Sequence, residues 1–128
     1  MSKAVYDTRF FVEHFYSADP NVKRRITQEI RKTKNRYISP VVIHEICVLS
    51  LRKEGRETAR MRREFVEKEF RVVDVDSELA CSSAELRHKY GISLADSLIA
   101  GTSKLLGAPC ITDDPHLESV KDIKTRWV

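Results

Sequence analysis

Short β-branched runs alternate with helix-length segments along the whole sequence, and that alternation leaves few folds open. The runs lie at residues 3–7, 36–38, 70–75 and 109–112, and Ile123 with Trp127-Val128 suggests a last one. Between them the spacing predicts helices over 8–18, from Pro20 to about Lys34, from Pro40 to Lys53, and over 57–69, 77–90 and 93–106. Strands separated by helices cannot pair as hairpins. Each must return by a crossover, which sets the strands parallel in one sheet. Asp19-Pro20 and Ser39-Pro40 are helix starts, with a capping side chain and a proline in the first turn. Gly55, Gly91 and Gly107 follow helical segments, where a left-handed residue closes a helix. Gly101 falls inside one, which points to close backbone packing.

The 128 residues suit one domain spanning 1–128, and a hydrophobic fraction of 41% is enough for a core. No apolar run approaches the roughly 20 residues that span a bilayer, so no membrane association is expected. The first residues lack the long apolar segment of a signal peptide, and a cytoplasmic location is expected. Cys47, Cys81 and Cys110 are far apart in apolar contexts, which reads as three reduced, mostly buried small hydrophobes rather than a zinc site. Sequence patterns for a phosphate-cradling glycine loop or a serine nucleophile elbow are absent. The four histidines have no nucleophile beside them and read as surface or structural.

Two acids are oddly placed. Helical offsets of three and four put Val41, Val42, Val48 and Leu49 around Glu45, and Ile92, Ile99 and Ala100 around Asp96. Neither acid has a Lys or Arg at those offsets, and a buried unpaired carboxylate is costly unless protonated, hydrogen-bonded or bound to a metal. Asp96 also fits a capping pattern with Ser93. Asp7 ends the first apolar run, and Asp113-Asp114 follow the run ending at Thr112. Ligands of parallel α/β sheets bind beyond the carboxyl ends of strands, where Asp7 and Asp114 fall. Thr8 and Thr112 add hydroxyls that can hold a water or orient a carboxylate. Four carboxylates that can converge on one hard cation are the main functional clue.

Charge is uneven. Residues 20–36 carry seven Lys or Arg against Glu29 alone, and residues 72–128 carry six basic and nine acidic residues. A polyanion can dock on the first region and present a phosphate to the acids of the second. A solvated helix face is the plainer alternative.

In order, Tyr6-Asp7-Thr8, Ser39-Pro-Val-Val-Ile-His-Glu45, Gly91-Ile-Ser-Leu-Ala-Asp96-Ser-Leu-Ile-Ala100 and Ile111-Thr-Asp-Asp114 resemble the motifs of the PIN-domain family, in particular its VapC-type toxins. The resemblance covers essentially the whole chain. It implies an α/β/α sandwich of three layers on a parallel sheet, and an endoribonuclease dependent on Mg²⁺ or Mn²⁺. It implies catalytic acids at Asp7, Glu45, Asp96 and Asp114, with Asp7, Asp96 and Asp114 as metal ligands. Asp113 takes the variable position of the last motif, Thr-x-Asp. A homodimer and a cognate antitoxin that blocks the acidic pocket are also implied. RNA would be gripped by Lys23, Arg24, Arg25, Arg52, Arg56, Arg60 and Arg63. Alternatives of other kinds are a PIN nuclease that processes RNA outside a toxin system and a non-catalytic PIN-like module that binds RNA or protein.

Overall fold

Five short strands and seven helices alternate along residues 2–128, the part of the chain that the computed structural model describes. They run β1 (Lys3–Tyr6), α1 (Thr8–Tyr16), α2 (Pro20–Lys32), β2 (Asn35–Ile38), α3 (Pro40–Lys53), α4 (Arg56–Glu69), β3 (Arg71–Val72), α5 (Ser77–Tyr90), α6 (Leu94–Leu106), β4 (Cys110–Ile111), α7 (Pro115–Glu118) and β5 (Thr125–Arg126). The strands form one parallel sheet in the order β3-β2-β1-β4-β5, with Val5 of β1 paired to Tyr37 on one side and Cys110 on the other. Helices flank the sheet to give the expected three-layer α/β/α arrangement.

Strand order fixes where a site can form. From β1 the chain winds outward to β2 and β3, then crosses back to add β4 and β5 on the other side. The direction of winding therefore reverses between β1 and β4. A crevice opens at such a reversal, beyond the carboxyl ends of the two strands. Asp7 directly follows β1, and Thr112 to Asp114 directly follow β4.

Three sequence expectations need correction. The 70–75 run pairs only at Arg71–Val72, because its single neighbour β2 ends at Ile38; Val73 N still donates to Ile38 O at 2.9 Å. The last strand is Thr125–Arg126, between the residues expected to form it. Cys110 is buried in β4, but Cys47 is only half-buried and Cys81 is exposed on α5; all three are free thiols.

The core explains the order of the layers. Ala4, Val5 and Tyr6 are all inaccessible, as expected for a central strand covered on both faces. Tyr6 meets Phe10 of α1 at 4.7 Å between ring centroids and Phe70 at 5.2 Å, nearly edge-on, and Phe11 closes on Phe70 at 4.9 Å. Such tilted contacts add to simple burial. Side-chain caps set the helix starts: Asp19 on Asn21 N, Ser39 on Val41 N and Asp76 on Leu79 N.

Gly101 lets α6 approach α5. A Cβ added there would lie 2.2 Å from Ser83 Oγ and 3.3 Å from Leu79 Cδ1. Ser83 Oγ is itself buried without a hydrogen-bond partner among the described residues. Gly101→Ala is expected to destabilise by about 1–3 kcal/mol through overpacking. Adding Ser83→Ala removes the closest clash and is expected to restore part of the loss in a urea titration. Equal destabilisation of the single and double variants would place the strain elsewhere.

Candidate metal centre

Asp7 is the anchor of the crevice. It caps α1 through Oδ1, which accepts from Thr8 N at 2.7 Å. Its Oδ2 accepts from Thr112 Oγ1 at 2.7 Å, and Thr112 Oγ1 accepts in turn from Asp114 N at 3.0 Å. One threonine thus ties the carboxyl end of β1 to the loop after β4. Thr8 Oγ1 donates to Glu45 Oε1 at 2.5 Å, which brings α3 to the same point. Both threonines named from the sequence therefore hold acids in place.

Asp96 arrives in the first turn of α6, where its N–H donates to the Ser93 cap at 3.1 Å. Asp114 caps α7 and accepts from His116 N at 2.9 Å. Donor atoms of Asp96, Asp114 and His116 lie within 4.8 Å of one another. Asp7 and Glu45 stand outside this tightest group; Thr112 links Asp7 to Asp114, and Thr8 links Glu45 to Asp7.

The acids feel one another. Burial pushes the Asp7 carboxyl up to about 6, the Thr112 and Thr8 hydrogen bonds pull against it, and the charges of Asp96 and Asp114 add to the rise. Burial also raises Asp96, followed by the charge of Asp114, with a smaller push from Glu45. The same field reaches the Cys110 thiol, held high first by burial and then by Asp7, Asp96 and Asp114. Among the described residues no Lys or Arg ion-pairs with Asp7, Glu45, Asp96 or Asp114. A crowded set of oxygen donors without a protein cation has the chemistry that Mg²⁺ and Mn²⁺ require. The donor set therefore fits such an ion.

The adjacent Asp113 is not part of it. Arg9 holds Asp113 through Nε at 3.1 Å and Nη2 at 3.3 Å, and also reaches Glu13 at 3.3 Å. Asp114, not Asp113, faces the other acids.

Glu45 and Asp96 are half-buried rather than enclosed. Of the apolar residues around Glu45 only Val42 is fully buried; Val41, Val48 and Leu49 are partly open. Glu45 sits at the margin of the core-facing stripe of α3, beside a groove lined by His44, Val48, Leu49 and Arg52. The unexpected member is His116. Its sequence signal was its place two residues after Asp114, within the same helical turn.

The basic candidates are divided. Lys23, Arg24 and Arg25 are exposed on α2, with Arg24 donating to Asn21 Oδ1 at 3.2 Å, and Arg52 and Arg56 are exposed on α3 and α4. Arg60 pairs with Glu57 and Glu64, and Arg63 with Glu67, on their own helix. Arg62, not singled out from the sequence, turns inward to Tyr16, Ser50 and Glu54.

The model of the PIN domain matches residues 4–123. The chain belongs to the PIN-domain family. Solved structures with the same PIN fold include VapBC2 from Rickettsia felis bound to a promoter DNA fragment, with a TM-score of 0.79 and 14% identity over 98% of each chain. VapC20 from Mycobacterium tuberculosis, a sarcin–ricin loop cleaving toxin, gives a TM-score of 0.75 and 17% identity over 94% of this chain and 98% of that one. FitAcB from Neisseria gonorrhoeae gives 0.75 and 21% over 95% of each. Comparison with curated proteins gives no match.

Proposed function

We propose that this PIN domain is a divalent-metal-dependent endoribonuclease and the toxin of a toxin–antitoxin pair. The observation that carries the reading is the set of four acids, from four distant parts of the chain, gathered at the reversal of the sheet without a Lys or Arg ion pair among the described residues. A toxin–antitoxin complex from Klebsiella pneumoniae and the sarcin–ricin loop cleaving toxin, both of the same fold, support it. Asp7, Asp96 and Asp114 would hold Mg²⁺ or Mn²⁺. When bound, the ion lowers the pKa of a coordinated water and offsets charge on the attacked phosphate. Thr8 and Thr112 hold Asp7 and Glu45 in fixed orientation. Glu45, at the groove margin, would orient the attacking water. Cytoplasmic action, a cognate antitoxin and a homodimer belong to the same reading. No described helix is long and apolar enough to cross a membrane.

The test is cleavage of a panel of RNAs with Mg²⁺, with Mn²⁺ and with EDTA. Cleavage with either metal and none with EDTA is expected. Activity that persists in EDTA, or none with any RNA under either metal, overturns the reading.

RNA would reach the acids over the exposed cations. Each neutralised phosphate releases counterions, so log affinity is expected to fall linearly with log salt. Replacing Lys23, Arg24 and Arg25 by Ala is expected to weaken binding of unrelated RNAs alike. It is also expected to flatten that slope by about 0.7 for each single-strand phosphate that is no longer neutralised. Arg60 and Arg63, already paired with acids of their own helix, are expected to contribute less than Arg52 and Arg56. An unchanged slope in the triple variant leaves the α2 run as a solvated face.

A further inference from the structure

We propose that His116 is itself a metal ligand, completing a mixed nitrogen–oxygen set with Asp96 and Asp114 that makes the centre favour Mn²⁺ over Mg²⁺. The inference rests on the metal-dependent reading above and names the ion it selects.

The backbone carries the imidazole to the acids. Asp114 caps α7, Pro115 takes the first helical position, and His116 follows, so the cap bond to His116 N draws the residue back toward the carboxylate. His116 Nδ1 lies 3.3 Å from Asp114 Oδ1. The first turn of α6 presents Asp96 to the same point, and the three donor atoms fall within 4.8 Å of one another. Two ligands on opposite sides of one small ion are about 4.2 Å apart, from metal–ligand distances of about 2.1 Å. Closing the remaining gap needs less than an ångström. The His116 side chain is 76% exposed and free to make that movement.

The donor chemistry then discriminates. Mg²⁺ is hard, loses its waters reluctantly and is held by oxygen. Imidazole is a poorer ligand for it than for the first-row transition ions, of which Mn²⁺ is the weakest binder and the one that, like Mg²⁺, suits carboxylates. Oxygen donors alone would leave the two ions closely matched. A histidine in the set tips the balance to Mn²⁺.

The experiment uses the full chain at pH 8 with Mn²⁺ as the probe. Pulsed electron paramagnetic resonance of the bound ion is expected to show coupling to a ¹⁴N nucleus, lost in His116→Ala and in His116→Gln. By calorimetry, both variants are expected to lose about tenfold or more in Mn²⁺ affinity. Their Mg²⁺ affinity is expected to change by less than about threefold, since Mg²⁺ takes oxygen donors. Bound Mn²⁺ without nitrogen coupling in the unmodified chain overturns the proposal and leaves the nuclease reading standing. Equal losses for both ions also overturn it, and make His116 a positioning residue for Asp114. If no Mn²⁺ binds at all, the proposal fails, and the metal-dependent reading fails with it when Mg²⁺ does not bind either. The spectrum of the unmodified chain decides the matter even if a variant does not fold.

Discussion

Asp7→Asn is expected to abolish metal-dependent cleavage and, in the same molecule, to stabilise the metal-free protein. The two effects have one cause. Asp7 is only 4% exposed, and burial holds its carboxyl up at about 6 against an ordinary value of 3.8. A metal ion compensates its charge; without the ion that charge is a cost. Loss of the ligand is expected to reduce the cleavage rate by about 10²–10³-fold, the scale of removing one well-placed electrostatic group from a reacting centre.

The stability effect has a definite sign. A carboxyl whose folded pKa is raised contributes stability that is fully present below the unfolded pKa and is lost as pH rises through the folded one. For Asp7 that window runs from about 4 to about 6. Asparagine does not titrate there. In EDTA, the variant is therefore expected to gain on the original chain across that window and keep the gain above it. The ceiling is about 3 kcal/mol, since the window is roughly two pH units wide and each unit is worth about 1.36 kcal/mol. Reorientation of the Thr112 hydroxyl toward the new amide reduces it. Thermal melts at pH 4, 6 and 8 with EDTA check the sign. A variant whose advantage does not grow with pH would mean that Asp7 is not held up by burial.

The acids were legible in the sequence because of their immediate neighbours. Asp7 and Asp114 end apolar runs, and an alternating α/β pattern sends such ends to one side of the sheet. What local pattern does not contain is the partner of a side chain far away in the chain. Arg9 takes Asp113 across 104 residues, and that pairing separates the two adjacent acids. The same limit applies to Thr112, whose hydrogen bond to Asp7 spans 105 residues. Periodicity located Glu45 and Asp96 on apolar stripes but not at the stripe margins, because a helical offset of three or four covers a wide arc and only packing shows which part faces inward. Arg60 and Arg63 could be read as free cations only by ignoring Glu57, Glu64 and Glu67 at the same offsets.

Glu29→Gln is expected to destabilise the fold by about 3 kcal/mol, the low end for breaking a buried charge pair. From the sequence Glu29 was the lone acid in a basic stretch, the kind of residue easily assigned to a solvated face. Instead it is 2% exposed and holds together three parts of the chain. Its Oε2 accepts from Tyr6 of β1 and from Thr33, each at 2.7 Å; Arg126 of β5 donates to Oε1 at 2.7 Å and to Oε2 at 3.1 Å. Burial pushes its carboxyl up, but the hydrogen bonds of Arg126, Thr33 and Tyr6 outweigh burial and hold it below its ordinary 4.5. Burial together with the Glu29 hydrogen bond keeps the Tyr6 hydroxyl protonated and so able to donate. In the Gln variant one acceptor oxygen becomes an amide donor facing donors, and the buried hydroxyls compete for the remaining oxygen. Arg126 is partly exposed and can turn to water, which keeps the loss near the low end. A carboxyl held low contributes stability that is present above its unfolded pKa and lost as pH falls through the folded one. The gap between the two proteins is therefore expected to be full at pH 7 and to close in acid. Urea titrations at pH 7 and pH 3 measure it. A loss under about 1 kcal/mol at pH 7, or a gap that persists undiminished in acid, would show that the ionised carboxylate is not what joins α2 to the two strands.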